Sequence, residues 1–188
     1  SLLIGVGLIL LMALTGNADA IDFSNIQDDA AVPAGDLFGP NTIGQTFVFY
    51  HPNLHSIHVR WVASADLAYS NESQIILHLR LANTTIDHVT ASIPLSKLLH
   101  NNFAIFSFPP IPDSHNQSFY FFLDAAQANI TRGSISVWAS GEDIYPDGAL
   151  LLNDIRTDRD LAFRAYYQPD PATLVETALR SLVTKLGA

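Results

Sequence analysis

From Thr42 onward the chain breaks into short apolar runs separated by turn residues, a spacing that strands satisfy and helices do not. The candidate strands are Thr42 to Tyr50, Ser56 to Ala63, Gln74 to Ala82, Ile86 to Ile93, Phe103 to Phe108, Ser118 to Ala125, Ser134 to Ala139, Ala149 to Leu152 and Leu161 to Tyr167. Several alternate with period two. Ile57, Val59 and Trp61 interleave with Ser56, His58 and Arg60, the mark of a strand with one buried and one wet face. The pattern predicts an all-β domain over residues 42–168, an antiparallel β-sandwich of jelly-roll or galactose-binding-like type. Proline cannot donate to a ladder, so Pro109-Pro110, Pro112 and the Pro146-Asp147-Gly148 triplet are expected to end strands and make turns. Residues 21–41, rich in Asp, Ala, Pro and Gly, read as a linker into the domain.

The two ends have a different character. No charged side chain occurs from Ser1 to Ala18. As a helix, this stretch would reach about 27 Å at about 1.5 Å per residue, close to the roughly 30 Å of a bilayer's hydrocarbon core. Leu2, Leu3, Ile4, Val6, Leu8, Ile9, Leu10, Leu11 and Leu14 would then form a membrane anchor. The competing reading is a secretory signal, because Leu2 to Leu14 has the length of a signal's apolar region and Ala18-Asp19-Ala20 is a small-x-small cleavage pattern. We expect residues 1–20 to anchor; cleavage would leave the domain secreted. No Lys or Arg precedes Arg60, whereas Asp19, Asp22, Asp28, Asp29 and Asp36 follow the apolar run. Basic residues mark the cytoplasmic flank of a span, so the domain is expected on the extracytoplasmic side. At the other end, Leu174, Val175, Leu179, Leu182, Val183 and Leu186 recur at helical spacing opposite Glu176, Arg180 and Lys185. Residues 169–188 are therefore expected to form an amphipathic helix, packed on its own sandwich or touching membrane or a partner.

Composition excludes several classes. With 18 acidic against 9 basic side chains, a net charge of -9 repels phosphate backbones, so no nucleic-acid partner is expected. Cysteine is absent, which removes disulfides, thiolate metal sites and a cysteine nucleophile. At 188 residues and 48% hydrophobic, the chain suits one core plus appendages.

The stretches IGQTFVFYHPNLHSIHV, FSFPPIPDSHNQSFYFFLDA, DIYPDGALLLN and RDLAFRAYY, in that order, resemble a β-sandwich accessory domain of bacterial membrane and surface proteins, including glycosyltransferase-like proteins of filamentous Chloroflexi. The resemblance spans about Thr42 to Tyr167. It implies a sandwich fold and an accessory role, and brings no catalytic residues with it.

Candidate chemistry is sparse. His51, His55 and His58 invite a metal, yet on a straight strand His55 and His58 point to opposite faces, and His51 lies about 13 Å from His55 at about 3.3 Å per residue. Asp113-Ser114-His115 holds the residue types of a hydrolase triad, but contiguous neighbours do not make its geometry, and a solvated turn explains them. Glu142 with Asp143, and Asp158 with Asp160, are carboxylate pairs that an acidic loop supplies by chance. A structural calcium ion fits better: Asp143, Asp147, Asp154, Asp158 and Asp160 cluster in loops near one end of the sandwich. No other cofactor is expected. Among aromatics, Trp138 and Tyr145 are the candidates for a glycan-binding platform, while Trp61 alternates with the core. Arg164 alternates away from Leu161 and Phe163 and is expected to pair with an acidic loop residue. Four Asn-x-Ser/Thr triplets begin at Asn71, Asn83, Asn116 and Asn129. Taken together, the residues predict a non-catalytic, membrane-anchored module that contacts protein partners in a larger surface assembly. The alternative is a carbohydrate-binding module.

Overall fold

The computed structural model describes residues 23–170 and, near the C-terminus, Leu179, Arg180 and Val183. Two six-stranded sheets, antiparallel in every pairing, pack face to face. The first runs in the order β1 (Phe23–Gln27), β14 (Phe163–Tyr167), β4 (Leu54–Ala63), β11 (Ile135–Ala139), β2 (Val32–Pro33), and β8 (Phe103–Ile111) also pairs with β4. The second runs β13 (Ile155–Arg156), β12 (Ala149–Leu152), β3 (Thr42–Phe49), β9 (Gln117–Asp124), β6 (Gln74–Leu81), β7 (Val89–Pro94). A two-stranded ribbon joins β5 (Ala68–Tyr69) to β10 (Ile130–Arg132). The connections from β3 to β4, from β8 to β9 and from β11 to β12 each pass from one sheet to the other.

Period-two alternation fills the space between the sheets. Phe47 and Phe49 of β3, Leu77 and Leu79 of β6, and Phe119, Phe121 and Leu123 of β9 point inward from the second sheet and are buried. Ile57, Val59 and Trp61 of β4, with Phe106 and Phe163, meet them from the first. Phe163 sits 5.5 Å from Phe47 and 5.6 Å from Phe121, ring centre to ring centre, and so locks the sheets together. Burying each such ring stabilises the fold by about 2 kcal/mol relative to leaving it in water. One polar residue crosses the same gap. Buried Gln45 of β3 accepts the Leu161 N–H (2.8 Å) and donates to the Asp160 carboxylate (2.9 Å) beside the start of β14.

All the expected strands are present, with ends displaced by a few residues, and three expectations change. The segment 21–41 is not simply a linker, because β1 pairs with β14 and β2 pairs with β11. Pro109 and Pro110 do not end a strand but lie within β8. The register against β4 shifts there, from Ser107 opposite Ser56 to Ile111 opposite Leu54, so the prolines occupy an irregularity where no ladder N–H is required. The same irregularity alters β4, where His55, between buried Leu54 and Ser56, and His58, between buried Ile57 and Val59, are both half-buried. The three-residue spacing therefore does not separate them as a straight strand would. The anchor at residues 1–20 lies outside the described residues, as does most of the helix at 169–188, of which Leu179 and Val183 are helical and exposed. Among the described residues no helix is long and apolar enough to cross a membrane.

Candidate interaction face

The outer face of the first sheet carries one cross-strand row. Ile26 of β1 lies opposite Arg164 of β14, Arg164 opposite His58 of β4, and His58 opposite Ile105 of β8. Alternation puts these residues outside, because their neighbours Phe163, Ala165, Ile57, Val59, Ala104 and Phe106 are all buried. The row ends in two exposed aliphatic side chains, Ile26 at 44% and Ile105 at 54% of full exposure. Between them Arg164 is held from two sides. Its Nε and Nη2 donate to the two carboxylate oxygens of Asp28 at 2.8 and 2.7 Å, and its guanidinium lies 4.2 Å from the centre of the Phe103 ring. The Asp28 hydrogen bonds raise the Arg164 pKa further, so this charge is permanent and fixed in direction.

His58 stacks on Tyr166 with ring centres 4.1 Å apart, and its Nε2 is 3.3 Å from the Ser56 hydroxyl. Burial, then the Arg164 charge, then His55, push its pKa down to about 4. Burial also lowers His55. Near neutral pH the row is thus an apolar and aromatic surface with one neutralised ion pair. It presents shape and exposed apolar area.

The outer face of the second sheet is already covered by its own charges. Phe122 stacks on His78 (4.5 Å, 3° between planes) and on Tyr120 (5.5 Å), and Arg80 lies 4.9 and 5.0 Å from the centres of the Tyr120 and Phe122 rings. His78 Nδ1 meets Asp87 at 2.7 Å, and the Tyr120 hydroxyl donates to Asp154 at 2.9 Å. Burial and that hydrogen bond raise the Tyr120 pKa.

The carboxylates suggested for calcium do not converge. Asp160 is fully buried; its Oδ2 accepts the Ile144 and Tyr145 N–H groups, both at 2.8 Å, and its Oδ1 the Gln45 amide. Asp147 accepts the Tyr50 hydroxyl at 2.6 Å, Asp143 lies 3.7 Å from Arg156, and Asp158 is exposed. Among the described residues no three His, Asp or Glu side chains are grouped as a metal would need. His51 stacks on Tyr167 at 4.8 Å. Ser114, buried, donates to the His51 carbonyl (2.9 Å) and accepts the Leu54 N–H (3.0 Å), while His115 Nδ1 is 2.7 Å from the Tyr50 carbonyl. Ser114 and His115 thus fasten a turn, and Asp113, between them and Pro112, is exposed.

Tyr145 is turned inward, edge-on to Phe163 at 5.6 Å, and its hydroxyl donates to the Val48 carbonyl (3.5 Å). It therefore forms no surface platform with half-buried Trp138, whose Nε1 is buried without a hydrogen-bond partner among the described residues. Asn71, Asn83, Asn116 and Asn129 are all exposed. Asp28 is the acidic partner that the Arg164 alternation called for. Its identity was hidden because β1 falls in the stretch that composition assigns to a linker. No protein-family model matches this chain, and no curated protein matches it either.

Proposed function

We propose that this chain is a non-catalytic β-sandwich module that serves as an accessory, protein-binding unit of a larger membrane or cell-surface assembly. The observation that carries this reading is the row Ile26, Arg164, His58, Ile105: two exposed aliphatic side chains flank a cation held rigid by Asp28 and Phe103. Fixed side chains lose little entropy on docking, and exposed aliphatic area gains by being covered. Hydrogen bonds that engage Ser114, His115 and Asp160 with the backbone support a structural role for the groups that resemble catalytic ones. The crossings between sheets at β3–β4, β8–β9 and β11–β12 support a sandwich of the jelly-roll, galactose-binding-like kind. The uncharged run of residues 1–18 supports anchoring, and the acidic flank after it an extracytoplasmic domain.

The test is extraction from native membranes in mild detergent, size separation and mass spectrometry of what comigrates. The wild-type chain is expected to travel with fixed protein partners, and Ile105→Lys, exposed and so harmless to the fold, to release them. Elution of the wild-type chain alone sinks the proposal.

A further inference from the structure

Between β2 and β3 the chain forms a loop, Gly35 to Asn41, whose backbone is tied down at several points. Leu37 N–H donates to the Ile135 carbonyl (2.9 Å), Gly35 N–H to Ser136 Oγ (3.3 Å), and Asn41 N–H closes a turn on the Phe38 carbonyl (3.1 Å). Two clefts open on either side of it. One, of about 270 Å³, is lined by Asp36, Phe38, Ser134 and the apolar Ile130 and Ile135. The other, of about 180 Å³, is lined by Asp36, Asn41, Thr42, Leu152 and Asn153. Asp36 belongs to both.

Its carboxylate has no hydrogen bond or ion pair among the described residues, unlike those of Asp28, Asp87, Asp147, Asp154 and Asp160. Phe38, two residues on, is 56% exposed at the rim of the larger cleft. The amides nearby are preset: Asn41 Nδ2 donates to the Asp36 carbonyl (3.4 Å), and Asn153, at a left-handed φ of 51°, accepts the Thr42 N–H through Oδ1 (2.8 Å). That bond leaves the Asn153 Nδ2 as a donor for a ligand.

We propose that this pair of clefts binds a pyranose unit of a neutral glycan. An ionised carboxylate accepts two hydrogen bonds at once, the geometry that neighbouring sugar hydroxyls present, and hydroxyl-to-carboxylate bonds are among the stronger kind. The Phe38 ring covers the C–H face of the sugar, and Ile130 and Ile135 line the cleft against which its edge lies. Asn41 and Asn153 receive the hydroxyls that project past Asp36 into the smaller cleft. The larger cleft, at about 270 Å³, lies just below the roughly 300 Å³ at which sites for drug-sized ligands begin, which suits one ring. A cationic ligand is the less favoured occupant, because cages for ammonium groups surround the cation with several aromatic faces and here there is one. The loop is held before any ligand arrives, so binding need not order it.

The full chain is tested in detergent on an array of neutral oligosaccharides, with a lysine-rich peptide as a competing probe. Binding to neutral glycans that falls at least tenfold in both Asp36→Asn and Phe38→Ala, with the melting temperature unchanged, supports the site. Failure to bind any neutral glycan overturns it, as does binding that neither variant weakens. Capture of the peptide in place of sugar, lost in Asp36→Asn, also overturns it and makes the clefts a cation site. Ile105→Lys separates this test from that of the assembly role, since it leaves the clefts intact.

Discussion

Asp160 shows what a buried carboxylate does in this molecule. No surface of it is exposed, and it accepts three N–H groups: those of Ile144 and Tyr145 and the Gln45 side chain. The residue that composition and loop position offered to calcium is thus occupied by the loop's own donors. Asp160→Ala leaves those donors buried without a partner, and an unmade hydrogen bond in the interior costs more than a made one gains. Urea unfolding should show a loss of about 3 kcal/mol. A loss below about 1 kcal/mol would mean that water reaches the donors and that the network is dispensable.

At the scale of elements, the central pairing of the second sheet depends on a missing side chain. A Cβ on Gly44 of β3 would lie 2.6 Å from Tyr120 Cε2 and 2.8 Å from Phe122 Cβ, both on β9, so the aromatic ladder on this face rests directly on the glycine backbone. Gly44→Ala should therefore destabilise by about 2 kcal/mol, as overpacking does. Gly141→Ala is the control, with nothing nearer than 3.9 Å, and should stay within about 0.5 kcal/mol. Thermal unfolding of the two variants side by side decides the point; equal melting temperatures would refute the contact. The strands themselves were legible, because alternation such as Ile57, Val59, Trp61 is written residue by residue. The prolines of β8 were not, because their tolerance depends on the register of β4 across from them.

For the whole molecule, the acid side of the stability curve follows from the first sheet's outer face. Unfolded, His58 titrates near 6.5; folded, burial first, then Arg164 and His55, hold it at about 4. The unfolded chain thus binds a proton that the folded one refuses between those values. Stability is full above pH 6.5 and is lost as pH falls toward 4, by about 2 kcal/mol once the partial exposure of the ring is allowed for. His55, shifted the same way, adds to the loss. Melting temperatures measured from pH 7 to pH 4 should fall more steeply for the wild-type chain than for His58→Gln. Parallel curves would show that His58 is solvated and that another group sets the acid limit.

The sequence alone determined the all-β class, the main strands and, where alternation is regular as in Ile57, Val59 and Trp61, the face that a strand buries, because side-chain alternation is a local property of the backbone. Only the tertiary structure decided which strands are neighbours, and neighbours make the surfaces. Asp28 meets Arg164 across 136 positions and Gln45 meets Asp160 across 115, separations that no spacing rule spans. The aromatic candidates divided in the same way. Tyr145 and Trp138 stand out by residue type, but one is drawn inward by Phe163, whereas Phe38 stays exposed because the loop carrying it is tied to β11 through Leu37. Residue type says what a side chain can do, and only packing says whether solvent or a ligand can reach it.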